Sequence, residues 1–188
     1  MAGGNQEPEQ QARDQIDHQL RQAGWIVQDR QNLDRNAGLG VAVREYPTDT
    51  GPMDYLLLVD GQAAGVIEAK REEAGQHLNR VEEQTGGYAT AELKHVGQAE
   101  LRFRYEATGA VTYFTDTADP EPRSREVFRF HRPETLADRL AEGDSLRARL
   151  QRLPELSGAG LRDCQFTAIR NLEDSLRRNR PRALIQMA

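Results

Sequence analysis

The sequence predicts an α/β fold in which a central mixed β-sheet is flanked by helices. Three observations predict it. A helical pattern opens the chain, a run of short strand-like segments follows, and helical and strand patterns return after it. Two of the strand-like segments, 54–60 and 63–69, are separated by Asp60-Gly61, a strong two-residue hairpin signal. The length of 188 residues suits one sizeable core with room for a short extra piece.

The elements follow in order. Residues 1–8 read as a disordered tail. A helix is expected over about 9–23, with Ile16 and Leu20 at i,i+4 on one face and Gly24 as its stop. Residues 25–28 and 40–46 are short strands, the second ending before Pro47. The nearly continuous apolar run 54–60 and its return 63–69 form an antiparallel pair. Residues 76–93 are helical, although each glycine of Gly86-Gly87 weakens the helix by about 1 kcal/mol relative to alanine. Three more strands are expected at 101–107, 111–116 and 126–131, with a turn at Thr108-Gly109. A helix at 133–143 has Pro133 and Glu134 at its start and Gly143 at its end. Residues 144–160, which hold Pro154, Gly158 and Gly160, form a linker, and a last helix covers roughly 161–178. The closing stretch 182–188 reads as a buried strand with nothing after it to cover it, which points to a chain cut from a longer one.

Composition excludes several classes. No apolar run approaches the ~18–20 residues that span a bilayer. The N-terminus lacks the apolar core of a secretory signal. Cys164 is the single cysteine, which excludes an internal disulfide and a cysteine-based zinc site and fits a reducing cytoplasm. The formal net charge is −5, and residues 146–188 contribute +5 of it, so the remainder carries −10. The plain reading of the basic C-terminal stretch is an Arg-rich solvated helix face. An acidic body argues against unaided, tight, non-specific nucleic-acid binding, which rests on phosphate neutralisation. A metal-dependent nuclease remains open, since its own carboxylates enter the count.

The chemistry concentrates at the hairpin. The antiparallel pair puts Asp54 at the start of one strand and Glu68 at the end of the next, so both carboxylates lie at its open end. Lys70 follows two residues later. It is one of two lysines among 25 cationic side chains, the other being Lys94. Lysine offers a compact, titratable ammonium that a guanidinium does not imitate. Two converging carboxylates can hold Mg²⁺, which prefers oxygen ligands and keeps several waters. Strand alternation sends Glu68 and Lys70 to one face and the small Ala69 to the other, where its main-chain carbonyl can add a metal ligand. The competing reading makes Glu68 and Lys70 an i,i+2 ion pair on the surface of an edge strand. Gln84 and Tyr88 lie at i,i+4 on one face of the predicted helix, either gripping a DNA backbone or forming a plain surface pair. His18, His77, His95 and His131 show no pairing that makes a metal or triad site. Ser124 and Cys164 lack a base at a suggestive spacing, and Trp25 belongs to the core. No G-x-x-x-x-G-K-[ST] loop occurs.

The stretch 51–72, with Gly51, Asp54, Tyr55, Glu68, Ala69 and Lys70, resembles the nuclease core of the restriction (R) subunit of type I restriction enzymes, of the PD-(D/E)xK superfamily. Gln84 and Tyr88 match the Gln-x-x-x-Tyr helix motif of that subgroup. Residues 15–25, 114–136 and 161–188 resemble the family's first helix, its tail of strands and the start of its superfamily 2 motor. The resemblance implies a restriction-endonuclease-like core over 9–143. It also implies a linker over 144–160 and a helicase/translocase beginning at 161–188, cut before its Walker A loop. It further implies a metal-dependent endonuclease cleaving DNA, with Asp54, Glu68 and Lys70 catalytic. Mg²⁺ would be held by Asp54, Glu68 and the Ala69 carbonyl, with Glu9, Asp14 and Asp17 of the first helix as further acidic candidates, of which Asp17 lies in the matching stretch. Gln84 and Tyr88 would contact DNA. ATP would be used only by the full-length subunit, alongside methyltransferase and specificity subunits in the cytoplasm. Two alternatives stay open: a repair or recombination nuclease of the same fold, and a non-catalytic module docking motor to methyltransferase.

Overall fold

A computed structural model of the chain describes residues 8–48, 51–70, 101–180 and 182–185. The chain opens with helix α1 (Pro8–Gln22), strand β1 (Ile26–Asp29), a 3₁₀ turn at Arg30–Asn32 and strand β2 (Gly40–Pro47). The hairpin strands β3 (Pro52–Val59) and β4 (Gln62–Ala69) come next, then β5 (Phe103–Ala107), β6 (Thr112–Asp116) and β7 (Arg125–Val127). Helices α2 (Pro133–Glu142), α3 (Leu146–Leu150) and α4 (Asp163–Arg177) close the described chain.

The seven strands form one sheet in sequence order from β1 to β7. β1–β2 and β4–β5 are parallel and the other pairs antiparallel, so the sheet is mixed and the architecture α/β, as the sequence predicts. Ile16 and Leu20 of α1 and Leu136 of α2 pack on one face of the sheet, against Tyr55, Leu57, Ile67 and Phe103. The opposite face gathers Val41, Val43, Leu56, Leu58, Val66 and Leu101 into a second apolar layer. With both faces covered, β3 shows a continuous apolar run instead of alternation. Gly24, at φ +92°, ends α1, which no residue with a Cβ does as cheaply.

β4 is the middle strand of the seven, which removes the edge-strand reading of Glu68 and Lys70. The expected closing strand is also corrected. Residues 182–185 are not in a strand, and Leu184 and Ile185 are exposed (91% and 48%). No described strand pairs with them, so an extended backbone there would gain no ladder of hydrogen bonds. β7 stops at Val127, short of the expected 131, leaving Phe128 in solvent while Phe130 turns into the core. The stretch read as linker contains α3, whose N-cap Ser145 accepts a hydrogen bond from the Ala148 amide at 3.2 Å. The helix expected over 76–93 lies outside the described residues.

α4 buries none of its residues. Polar links tie the C-terminal helices to the sheet's last loop: Arg147 reaches Asp119 at 3.6 Å and the Asn179 side chain at 3.2 Å, and Arg123 reaches the Asn179 carbonyl at 3.2 Å. Under the sheet's far end, Arg139 donates to His131 Nε2 at 3.2 Å. A guanidinium cannot accept, so the neutral ring carries its proton on Nδ1 and donates to Tyr105 Oη at 2.7 Å. Burial, then the Arg139 and Arg125 charges, push the His131 pKa down to about 4. Among the described residues no helix is long and apolar enough to cross a membrane.

Candidate active site

The hairpin turn uses Asp60 and Gly61 at φ +49° and +71°, both left-handed, as a two-residue type I′ turn requires. From that turn the pairing runs Val59 to Gln62 and Leu58 to Ala63, then shifts, so that Leu57 pairs with Gly65 and Tyr55 with Ile67. Ala64 is the extra residue of a β-bulge. An unbulged hairpin would set Asp54 opposite Ile67, with Glu68 on the other face of the sheet. The bulge sets Asp54 opposite Glu68 instead, on one face, one step beyond the last ladder pair. Gly65 permits it, because a Cβ there would lie 2.5 Å from the Phe103 carbonyl oxygen of the neighbouring strand. The Ala-Ala-Gly of β4 was the available sequence signal, since small residues and glycine inside a strand mark a bulge or a close approach.

Each of the three site side chains is mostly buried and yet touches solvent. Asp54 accepts from the Ala69 amide at 2.9 Å through one oxygen and from Arg13 Nη2 at 2.8 Å through the other. Glu68 pairs through Oε1 with the Lys70 ammonium. The Lys70 amide donates to the Ala107 carbonyl at 2.7 Å, which carries the β4–β5 pairing one residue past the strand. That anchors the lysine next to Glu68. Ala69 turns to the opposite face, against the layer that α1 covers. The other Glu68 oxygen, Oε2, is buried and has no hydrogen-bond partner among the described residues. A buried carboxylate oxygen without a donor is costly, and a cation is one remedy. On its far side Glu68 stands in register with Glu106 of β5, which is 8% exposed.

Asp17 lines the same polar cleft as Asp54, Arg13, Arg44 and Glu45, a space of about 710 Å³. Its oxygens are engaged elsewhere. Arg44 holds both, the nearer to Nε at 3.1 Å, and Tyr55 Oη donates to Oδ1 at 2.9 Å. Arg21 approaches from the next turn at 3.5 Å. Burial, and then the Asp17 charge and hydrogen bond, push the Tyr55 phenol well above its ordinary pKa, so it stays a donor at neutral pH. This network fixes α1 to β2 and β3. The Gln84 and Tyr88 pair lies outside the described residues. Among the described residues no group of three or more His, Cys, Asp or Glu is placed to hold a metal.

Arg13 is the residue the sequence reading missed. It bridges Asp54 and, at 3.1 Å, Glu45. Its spacing of i,i+4 from Asp17 marks it as sharing the inward edge of α1, but nothing local marks Asp54 as its partner.

No protein-family model matches the chain, and no curated protein matches it. A solved structure does. It is a fragment assigned to the HsdR subunit of a type I restriction enzyme from Vibrio vulnificus YJ016, with a TM-score of 0.51 and 21% sequence identity. What the two share is the fold. The match covers 97% of this chain and 35% of that one, so this chain spans about a third of the length of its structural relative.

Proposed function

We propose that the chain is the DNA-cleaving part of a type I restriction enzyme R subunit, with a restriction-endonuclease-like core and a metal-dependent endonuclease site. The observation that carries this reading is the bulge-set register, which places Asp54 opposite Glu68 with Lys70 bonded to Glu68. The shared fold with the HsdR fragment supports it.

The donor set fits a hard divalent cation such as Mg²⁺. Asp54, Glu68 and the Ala69 carbonyl would hold it, and Glu68 Oε2, without a hydrogen-bond partner among the described residues, is the atom with most to gain. Such an ion supplies Lewis-acid polarisation of a phosphoryl oxygen and a bound water of lowered pKa. Lys70 serves the same reaction from the protein's side. Its ammonium, steered by Glu68, can orient the attacking water and stabilise charge building on the phosphorane. Asp17 we assign to holding α1 and Tyr55 in place, because its oxygens already serve Arg44 and Tyr55. Gln84 and Tyr88 are proposed to place the DNA strand. Residues 161–188 are proposed to begin a motor domain, with ATP used only by the full-length subunit, and with methyltransferase and specificity subunits as cytoplasmic partners.

The test is a calorimetric titration of Mg²⁺ and Mn²⁺ into the wild type, Asp54→Ala and Lys70→Ala, with plasmid nicking on the same samples. Binding by the wild type and Lys70→Ala but not by Asp54→Ala is expected, with cutting lost in both variants. Cation binding without cutting by any sample would mean that the site needs the motor and partner subunits. No cation binding by the wild type, even with DNA present, would sink the nuclease reading and favour the docking module.

A further inference from the structure

Arg13 donates to Asp54 through Nη2 at 2.8 Å and to Glu45 through Nη1 at 3.1 Å. One guanidinium thus spans a shielded carboxylate, Asp54 with its side chain 19% exposed, and an open one, Glu45 at 69%. Tyr55 ties the helix to the sheet here, its one hydroxyl hydrogen directed to Asp17 at 2.9 Å and shared with the Arg13 carbonyl at 3.2 Å. Burial lowers the Arg13 pKa, but the charge and hydrogen bond of Asp54, with Glu45, outweigh it and raise it. The positive charge next to Asp54 therefore cannot leave by deprotonation. It can leave only by movement, and the side chain is exposed enough to move.

Resting on the reading of Asp54 as a cation ligand, we propose that Arg13 sets how tightly the site holds a divalent cation. The guanidinium and the cation compete for Asp54, and Glu45 takes the guanidinium when the cation binds. Two positive groups on one carboxylate repel, so each weakens the other by linkage. Glu45 is the second half of the device. It is already bonded to Arg13, and an exchange between neighbouring carboxylates needs no backbone change.

The probe is MnCl₂, titrated calorimetrically into the full chain as wild type, Arg13→Gln and Glu45→Gln, with a thermal melt of each as a folding control. Arg13→Gln is expected to bind Mn²⁺ about two- to fivefold more tightly, the scale of a half-exposed ion pair. Glu45→Gln is expected to bind it about twofold more weakly, because the guanidinium loses its alternative seat. A purely structural Arg13 predicts unchanged or weaker binding in Arg13→Gln, and that result would overturn the proposal while leaving the nuclease reading intact. The same holds if Glu45→Gln binds more tightly. Binding by Arg13→Gln alone supports the competition in its strongest form. If neither the wild type nor Arg13→Gln binds Mn²⁺, with or without DNA, both readings fall together.

Discussion

Two Asp–Arg pairs lie along the same helix and cleft, and they differ in almost every respect that matters. Asp17 is buried and saturated, gripped by Arg44 on both oxygens, by Tyr55 and by Arg21. Asp54 is more open and shared, with one oxygen on a backbone amide and the other on a guanidinium that also serves Glu45. In the first pair every partner arrives from a different element, α1, β2 or β3, so the bonds act as fasteners. In the second the cationic partner has somewhere else to go. A saturated carboxylate stabilises the fold, whereas a shared one is available for exchange with a ligand.

The largest expected effect tests the fastener. Asp17→Ala takes from Arg44 and the Tyr55 hydroxyl the partner they share, leaving Arg44 only the exposed Asp29 and Tyr55 only the Arg13 carbonyl, and urea denaturation should show a loss of about 2–4 kcal/mol. Asp54→Asn should change stability by less than about 1 kcal/mol, since a partly exposed pair contributes little. If the two variants cost the same, the distinction collapses.

Acid probes a group belonging to neither pair. Burial first, then nearby arginines, hold His131 neutral in the folded protein, with a pKa near 4. The unfolded chain therefore binds more protons between about pH 4 and the ordinary histidine value near 6.5. Stability should fall as pH drops through that window, by about 2 kcal/mol once solvent screening is allowed for. His131→Gln should flatten that part of the profile in a pH series of melting curves. An equal slope in both proteins would show that His131 is not its cause.

The smallest effect is a swap of cations. Arg44→Lys loses the forked contact to Asp17 and the bond to Asp29, and should cost about 1 kcal/mol by denaturation. Arg13→Lys should be nearly silent in the same assay, because its contacts are single and half-exposed.

Much of this was legible in the chain and some was not, for physical reasons. All seven strands showed themselves through apolar runs and turn residues, since both follow from local chemistry. Asp60-Gly61 announced the hairpin for the same reason. The convergence of Asp54 and Glu68 at its open end could be read as proximity, but their common face could not. That depends on the bulge at Ala64, which the Ala-Ala-Gly run of β4 signals without fixing which residue leaves the ladder. The Arg13 contact was illegible because 41 residues separate it from Asp54. The stretch 182–185 misled because apolar residues suggest burial, yet Leu184 and Ile185 are exposed and pair with no described strand.

The hairpin's two arms are unequal, seven residues from Gln62 to Glu68 against six from Asp54 to Val59, and the bulge stores the difference. A chain lacking Ala64 would have equal arms, and an unbroken ladder would still set Asp54 opposite Glu68. A chain that kept Ala64 but threaded it into the ladder would slide every later residue of β4 by one, and Asp54 and Glu68 would look out from opposite sides of the sheet. The site can therefore be lost without losing any of its residues, by moving one residue of slack from the bulge into the ladder.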